Sequence, residues 1–407
     1  MTTYLTVHHI VSMPLGLANR GADGLAKTGI YGGVVRQRIS SQCVKAHLRE
    51  HPALISIAET VGQQASVRSA LIGERRISPA LVADGATKQE ADALSSALMA
   101  SLFQKEKRDS AQSNDSRRGR KKKDGDEPAA DTDEAPADDQ TKPGRQIIVL
   151  GNAEIEAMIC IAKAVRVAGI KAEKLAEAIK KPAGNIRDTL DTLRALRHHS
   201  GLDGALFGRM ATSSVVSSVD GAVSVGHWLT AHRIQSPTDF FSAQDQLLTD
   251  DEMGTAHIGT AELASGVFYG STLIDLSRLQ LNLGLDFTNT RAVLAAVLEA
   301  VVSTDPSAKR GSTGAACETH EVAIEIGEAM GLSAMNAFET PCDAVSEMAS
   351  EKLRQHLKSR QARLTARQRP RNVFILSEIV AEGGTMDELI VRATDAAIPA
   401  AIANAAE

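Results

Sequence analysis

Segments with strand character lie near both ends of this chain, and a long helical stretch separates them. Residues 3–12 are mostly β-forming and are closed by Ser12 and Pro14. Residues from about 55 to 200 show the helical spacing of apolar positions, and strand-like and helical segments alternate again from Leu202 onward. The simplest architecture that satisfies this order is an α+β fold, in which a discontinuous sheet domain carries an inserted helical lobe.

Local patterns predict the individual elements of this fold. Ser40 or Ser41 is a suitable N-cap for a helix that runs through Glu50. We expect further helices at residues 90–103, 153–168, 185–197, 290–302, 344–358 and 386–407. We expect strands at residues 36–39, 146–150, 202–210, 223–234, 260–275, 321–326 and 372–376, and a glycine-rich loop at residues 16–33.

The overall composition excludes the simplest kinds of nucleic-acid binder. The 407 residues include 45 Lys and Arg against 50 Asp and Glu, so the formal net charge is −5. One Trp, three Tyr and eight Phe are too few for a surface that stacks many bases. Any surface that binds a nucleic acid must therefore concentrate its positive charge and use very few aromatic rings.

The sequence also lacks the marks of a membrane or secreted protein. No apolar run approaches the length of about 18 residues that a membrane span needs. The N-terminus has neither the basic region nor the apolar core of a signal peptide. The four cysteines are far apart and form no CxxC pair. We therefore expect a cytoplasmic protein with free thiols and no membrane partner.

Residues 105–145 interrupt the helical stretch with a charged, almost entirely polar segment. Its first part is basic around residues 117–123, and its second part is acidic over residues 124–139. The segment has few apolar residues to bury, which predicts disorder. A solvated loop inserted into the helical lobe is the favoured interpretation, because the acidic half competes for the basic half. A weak RNA or DNA tether is the alternative.

Positive charge is concentrated in the first fifty residues. Arg36 and Arg38 are two apart on a predicted strand and face the same way. Lys45 and Arg49 are four apart on the following helix and share a face, with Gln42 one turn earlier. The N-terminus of that helix also favours a phosphate, through its free N–H groups and its dipole. A row of phosphates fits this ridge, and an ordinary solvated helix face is the alternative.

Candidate catalytic or metal-binding groups form no recognisable pattern. The closely spaced histidines, at 8 and 9, 198 and 199, and 227 and 232, include no HExxH pair. No phosphate-binding loop, dinucleotide fingerprint or nucleophile-elbow motif occurs. Acidic residues cluster at 245–252, but this stretch is loop-like. We therefore expect no catalytic residue, no metal and no cofactor.

Phe240 and Phe241 are adjacent in a polar segment between two strand-like runs. In a strand their side chains point opposite ways, so at least one of them is exposed to water. One interpretation is that a single Phe anchors a hairpin to the core. The other is an apolar wedge that unstacks a nucleic acid or docks a neighbouring molecule.

Several short segments occur in a distinctive order along the chain. They are LANR at 17–20, GG at 32–33 with Arg36, RISSQ at 38–42 with Lys45, GRMATS at 208–213, VDGA at 219–222, GTAHIG at 254–259, SGVFY at 265–269 and MNAFE at 335–339. In this order they resemble the CasC family, the backbone subunits of Cascade, the type I-E CRISPR surveillance complex. The match is weak across residues 52–200 and leaves residues 105–145 as an insertion.

The resemblance implies a hand-like molecule with an RRM-like (ferredoxin-like) palm. The palm would comprise residues 1–50 and 202–407, the helical fingers lobe residues 51–201, and the thumb hairpin residues 233–266, approximately. Further copies of the chain and other Cascade subunits would assemble along one CRISPR RNA. Each copy would kink the guide at regular intervals and leave the remaining bases to pair with target DNA.

The resemblance also assigns roles to residues at matching positions. It implies that guide phosphates and sugars are contacted by Asn19, Arg20, Lys27, Arg36, Arg38, Ser40, Gln42, Lys45, Arg49 and Lys309. It implies that the kink and the thumb use Met210, Phe240, Phe241, Ser242 and His257. The chain departs from the family at residues 340–343, where lysines are expected, and at Phe240, where Trp is expected.

The resulting prediction is a non-catalytic scaffold that binds CRISPR RNA. Sequence-blind binding needs contacts to the RNA backbone, and base pairing then reads the target sequence. The alternative is a metal- or His-dependent endoribonuclease on an RRM-like scaffold, using His257 or the acidic loop at 245–252. A third hypothesis is a protein-binding assembly factor whose basic face is only solvated.

Overall fold

The computed structural model describes residues 3–103, 147–196, 200–211, 213, 215–234, 238–244, 255–308 and 310–398. The charged insertion at residues 105–145, with the predictions made for it, lies outside the described residues. Within them, helices and antiparallel strands are mixed, so the α+β class expected from the sequence is confirmed.

Twelve strands occur in the described ranges. They are β1 (Tyr4–Gly16), β2 (Thr28–Tyr31), β3 (Val34–Ile39), β4 (Val67–Ser69), β5 (Ile148–Leu150), β6 (Val223–Val225), β7 (Trp228–Thr230), β8 (Thr238–Gln244), β9 (Thr255–Glu262), β10 (Ala264–Asp275), β11 (Glu318–Gly327) and β12 (Asn372–Ile375). Eight of them form one sheet in the order β12-β11-β1-β10-β7-β3-β2, with β6 also paired to β10.

Strand β1 lies at the centre of this sheet. It is antiparallel to both neighbours, so that Ile10 lies opposite Tyr269 on β10 and opposite Glu321 on β11. The remaining strands form two separate two-stranded sheets, β4 with β5 and β8 with β9. The first fifty residues and the second half of the chain therefore build one sheet, as the order of the predicted elements indicated.

Fourteen helices occur in the same ranges. They are α1 (Ser41–Arg49), α2 (Pro52–Thr60), α3 (Ser78–Ala83), α4 (Lys88–Phe103), α5 (Asn152–Val167), α6 (Leu175–Lys180), α7 (Asn185–Ala195), α8 (Leu202–Phe207), α9 (Leu276–Leu283), α10 (Phe287–Ser303), α11 (Arg310–Thr313), α12 (Ser346–Arg360), α13 (Leu376–Ala381) and α14 (Met386–Ala397). Short helical turns occur at Gly73–Ile77, Ala172–Lys174, Met335–Phe338 and Gln361–Arg363.

Helices cover both faces of the large sheet. Leu5 and Val7 of β1 belong to the main core, which also contains buried residues of α1, α2, α9, α10, α13 and α14. Ile10 of β1 points to the opposite face, where it packs in a cluster with Phe338 and with Leu353 of α12. Because both faces of β1 are covered, the strand is apolar along most of its length.

The helical stretch has a core of its own. Leu98 of α4, Met158 of α5 and Leu190 of α7 are buried in one cluster, which Val215 and Val216 join from the returning chain. Helix α2 lies within the range assigned to the lobe but packs against α10 in the main core. The boundaries at residues 50/51 and 201/202 stay predictions.

Two sequence-based expectations are corrected. Residues 202–210 were expected as a strand, but Leu202–Phe207 is helix α8, because its buried apolar residues follow helical spacing between Gly201 and Gly208, both at positive φ. The expected glycine-rich loop contains strand β2, which Gly32 and Gly33 join to β3 in a two-residue turn at positive φ.

Most other predicted elements are confirmed to within a few residues at their ends. The segment expected at 223–234 divides into β6 and β7, and the helix expected at 386–407 is described as far as Ala397. All four cysteines are unpaired thiols. None of the described helices is long and apolar enough to cross a bilayer.

Candidate nucleic-acid interface

The first helix, α1, begins at a serine whose backbone N–H and side-chain hydroxyl both form hydrogen bonds within the protein. Ser40 is its N-cap, and the Ser40 Oγ accepts a hydrogen bond from Cys43 N at 3.3 Å. The N–H of Ser40 donates to Asn19 Oδ1 at 3.0 Å. Asn19 and Ser40, both predicted to contact RNA, therefore lie together and connect the loop at residues 17–27 to α1, whose Gln42 is exposed.

The backbone amides at the start of α1 are partly used within the protein. Ser41 N donates to His227 Nδ1 at 3.0 Å, and Cys43 N is paired with the Ser40 cap. Fewer amides remain for a phosphate than the sequence predicted. The positive side chains along the helix are therefore the stronger candidates for contacts with an anion.

Lys45 and Arg49 lie one turn apart on α1, as predicted, and share an aromatic neighbour. Lys45 Nζ lies 5.7 Å and Arg49 Cζ 5.2 Å from the centroid of the Phe207 ring. Arg49 Nε also lies 3.7 Å from Asp203 Oδ2. Burial, and then the charge of Arg49, lowers the pKa of Lys45. Burial, and then the charge of Arg68, lowers the pKa of Arg49, against the opposing effect of Asp203. This crowding of cations favours an anionic partner.

The loop at residues 17–27 brings further predicted contacts beside α1. Lys27 N donates to Asn19 O at 2.9 Å, and Arg38 N donates to Lys27 O at 2.8 Å. Arg20, which is exposed, pairs through its backbone with Ala26. Three of the predicted RNA-binding cations, Arg20, Lys27 and Arg38, are therefore carried by backbone segments that are bonded to each other next to α1.

Arg36 is a correction to the predicted RNA-binding set. Its side chain is fully buried, and its guanidinium donates to the carbonyl oxygens of Thr230 at 2.9 Å, Phe338 at 2.7 Å and Tyr31 at 3.2 Å. Arg36 joins three segments that are distant in sequence. A phosphate has no access to this guanidinium in the folded chain, so Arg36 is a structural residue.

Met210, the predicted kink residue, is 83% exposed and follows a buried residue, Arg209, that is bonded to the helical lobe. The adjacent Arg209 is buried and forms an ion pair with the buried Glu154 of α5, in which Arg209 Nη2 lies 2.6 Å from Glu154 Oε1. Arg209 also donates to the carbonyl oxygens of Ser217 and Val149. The backbone that carries Met210 is thus fixed to the helical lobe, while the Met210 side chain lies on the surface.

The predicted phenylalanine pair lies on a two-stranded hairpin. Phe240 on β8 is opposite Thr260 and is 65% exposed, and Phe241 is opposite Gly259 and is 44% exposed. A Cβ at residue 259 would overlap the Phe241 ring, so this ring covers the glycine. Phe240 is the more exposed of the two rings and the better candidate for a wedge.

Several other predicted residues lie on or near this hairpin. Ser242 is exposed on β8, and the register places His257 of β9 opposite Ala243. Residues 245–254, which include the acidic cluster, lie outside the described residues, and so does Lys309. Both phenylalanines lie within strand β8, paired with β9.

No three His, Cys, Asp or Glu side chains in the described part of the chain lie close enough together to hold a metal ion. A polar network does lie inside the sheet. His8 Nδ1 is 2.8 Å from Tyr269 Oη, His8 Nε2 is 3.2 Å from Glu325 Oε2, and Arg360 pairs with Glu325. All four side chains are buried, and burial lowers the pKa of His8, so the network joins β1, β10, β11 and α12.

Sequence reasoning missed Phe207 and Arg209 as parts of this site. Phe207 directly precedes the GRMATS segment and Arg209 belongs to it, but the local pattern predicts a strand at residues 202–210. Helical spacing would have placed Asp203 and Phe207 on one face, four residues apart. The contact between Phe207 and α1 spans more than 150 residues of sequence, so local pattern gives no signal for it.

Comparisons with known proteins show which family and which solved structures this chain is similar to. The family model of CT1975-like proteins matches residues 5–399. A solved chain titled "CRISPR RNA-guided surveillance complex, pre-nicking" has a TM-score of 0.68 and 25% identity, over 97% of this chain and 100% of that chain. A second, titled "CRISPR RNA-guided surveillance complex", has a TM-score of 0.60 and 24% identity, over 97% and 99% of the chains, and shows the fold alone. No curated protein sequence matches the chain. The resemblance to a Cascade-type CRISPR protein is therefore confirmed, and the chain belongs to the CT1975-like protein family.

Proposed function

We propose that this protein is a non-catalytic scaffold subunit that binds CRISPR RNA within a Cascade-type surveillance complex. The observation that carries the proposal is the full-length likeness to a chain of a CRISPR RNA-guided surveillance complex. The position of the predicted RNA contacts also supports it. Asn19, Ser40, Lys45 and Arg49 lie along or beside one helix. Phe207, which contacts both cations, is three residues before the exposed Met210 in sequence.

The chemistry of this surface suits a ligand that is read through its backbone. Lys45 and Arg49 supply charge without base-specific geometry, so any guide sequence is accommodated. We propose that Met210 and the thumb phenylalanines act at the kinked nucleotide, where unstacking costs a few kcal/mol per step. The scarcity of other aromatic rings leaves the remaining guide bases free to pair with target DNA.

We further propose that the protein is a CasC-type subunit of a type I-E complex and that its palm is RRM-like. The antiparallel order β11-β1-β10-β6, with helices between β1 and β6 and between β10 and β11, supports such a palm. Several copies along one guide, together with other subunits in the cytoplasm, complete this proposal.

The first test is the RNA that the assembled complex contains. The complex is purified with this subunit, and the bound RNA is sequenced. We expect CRISPR RNA, and its absence would contradict the proposal. The absorbance ratio at 260 and 280 nm separates the scaffold from a pure assembly factor. Incubation with complementary RNA and Mg²⁺ tests the nuclease alternative, for which cleavage would be the positive result.

The second test concerns direct phosphate contact by α1. Lys45→Ala combined with Arg49→Ala should weaken binding to single-stranded RNA. It should also reduce the slope of log K against log salt concentration by about 1.4, because two phosphate contacts are lost. Binding is measured by fluorescence anisotropy over a series of salt concentrations.

The matched control removes two cations from the other side of the sheet. Lys358 and Arg363 are exposed at and beyond the end of α12, and Lys358→Ala combined with Arg363→Ala should leave the salt slope unchanged. Equal slopes for the two double variants would refute the α1 contact.

A further inference from the structure

Helix α1 places its two cations against an aromatic ring from a distant part of the chain. Phe207 is half-buried at the end of α8, and both Lys45 and Arg49 lie within 6 Å of its ring centroid. This is the range in which a cation is attracted to the face of a ring. One ring therefore attracts two like charges that repel each other.

The backbone that carries the Phe207 ring is held in a close contact. The adjacent Gly208 has a φ of +78°, and a Cβ there would lie 2.7 Å from Gly221 N and 2.8 Å from Val219 O. Gly208 N also donates to Gly204 O at 3.0 Å. Only glycine fits this close approach, so the end of α8, from which the Phe207 ring projects, is held against the 219–221 segment.

The carboxylate of Asp203 also restricts the orientation of the Arg49 side chain. Asp203 precedes Phe207 by one helical turn, and its two oxygens accept hydrogen bonds from Ser66 N and Ser66 Oγ, each at 2.7 Å. Its Oδ2 lies 3.7 Å from Arg49 Nε, which is a loose ion pair. Among the described carboxylates none pairs with Lys45. Arg49 is oriented by this arrangement without being neutralised by a close, bidentate partner.

We propose that Phe207 is a positioning residue for RNA binding, which holds Lys45 and Arg49 side by side in an orientation that accepts adjacent phosphates. This inference rests on the proposed function of the α1 surface. Without the ring, two long side chains must lose their conformational freedom when the phosphate binds. With the ring they are ordered beforehand, and an anion between them relieves their repulsion.

The experiment uses the full-length chain and a dye-labelled, mixed-sequence single-stranded RNA. Phe207→Leu should weaken binding about 5- to 30-fold, the loss expected for two cation–ring contacts. The salt slope should stay unchanged, because both charges remain. Phe207→Tyr retains a ring and should restore wild-type affinity. Phe287→Leu, at a partly exposed Phe on α10, is the matched control and should bind like the wild type.

Two results would overturn the inference. The first is wild-type affinity for Phe207→Leu in a sample that thermal unfolding shows to be folded. The second is an additive double-mutant cycle between Phe207→Leu and Arg49→Gln. If the wild-type chain bound no RNA, the proposed function would fail by itself. The same cycle measured on thermal unfolding would then still decide the coupling, and additivity there would contradict the ring's role.

Discussion

His9 is buried in the middle of the central strand with an aromatic ring beside it and a glycine opposite. Its ring packs edge-on against Trp228 at a centroid distance of 4.8 Å, and Gly270 of β10 lies opposite in the register. A Cβ at residue 270 would overlap both His9 and Trp228. Burial, and then the neighbouring His8, lowers the pKa of His9 to about 3, so the folded chain holds it neutral.

This histidine predicts how stability depends on pH. The folded pKa of about 3 lies below the ordinary value of 6.5, so between these values the unfolded chain binds the proton more tightly. The free energy of unfolding should therefore fall as pH falls from 7 toward 4, by up to about 1.4 kcal/mol per pH unit from this group. Urea unfolding at several pH values measures the decrease.

The control for this prediction is His9→Asn, which does not titrate. Its free energy of unfolding should depend less on pH between 7 and 4. Some dependence should remain, because burial also lowers the pKa of His8. The same pH dependence in both proteins would show that His9 contributes nothing.

Sequence alone could identify the basic residues among the first fifty but could not sort them by accessibility. The spacing of Lys45 and Arg49 predicted their shared face correctly, since four residues make one turn. Arg36 looked equally available, yet its guanidinium is bonded to carbonyl oxygens of residues 230 and 338. Contacts between residues so far apart in sequence leave no local pattern, which is why Arg36 was misassigned and Phe207 was missed.

At the scale of elements, the β8–β9 hairpin presents two rings on opposite faces. Phe241 lies over Gly259, while Phe240 is the more exposed. The strand character of residues 260–275 was evident from the sequence, and so was the exposure of at least one ring. The extent of strand β8 was not evident from the sequence, because the local pattern of residues 237–242 is polar and short.

The hairpin predicts an effect on RNA conformation rather than on affinity. Phe240→Ala combined with Phe241→Ala should leave RNA affinity largely intact, because the phosphate contacts on α1 remain. The guide should lose its regular pattern of flipped nucleotides, because no wedge holds them out of the stack. Chemical probing of the guide in the assembled complex measures that pattern, and Phe240→Trp, which keeps a wedge, should preserve it. Unaltered probing in the double alanine variant would contradict the wedge.

At the scale of the whole molecule, a buried ion pair holds the returning chain to the helical lobe. Glu154 belongs to the helical lobe, and Arg209 belongs to the chain that returns to the sheet. Sequence order predicted the discontinuous sheet and the inserted lobe, because strand and helix patterns have different periods. The order of the elements did not predict this ion pair, whose two residues are 55 positions apart in the sequence.

This ion pair predicts a strongly non-additive response to mutation. Arg209→Met alone should lower the free energy of unfolding by about 3–5 kcal/mol, because it leaves the Glu154 carboxylate buried without a counter-charge. Arg209→Met combined with Glu154→Leu should lose much less, since no uncompensated charge remains. Chemical unfolding of the two variants measures the difference. Equal losses would mean that the carboxylate reaches water in the single variant.

The central position of β1 has a consequence for how the protein is made. This strand leaves the ribosome before both of its neighbours, because β10 and β11 follow it only after more than 240 further residues. At the usual rate of translation, about 5–20 residues per second, that delay is on the order of 10–50 s. The residues of the helical core emerge within this interval. The nascent chain therefore carries an apolar strand whose partners in the sheet, β10 and β11, are not yet available for pairing during this interval.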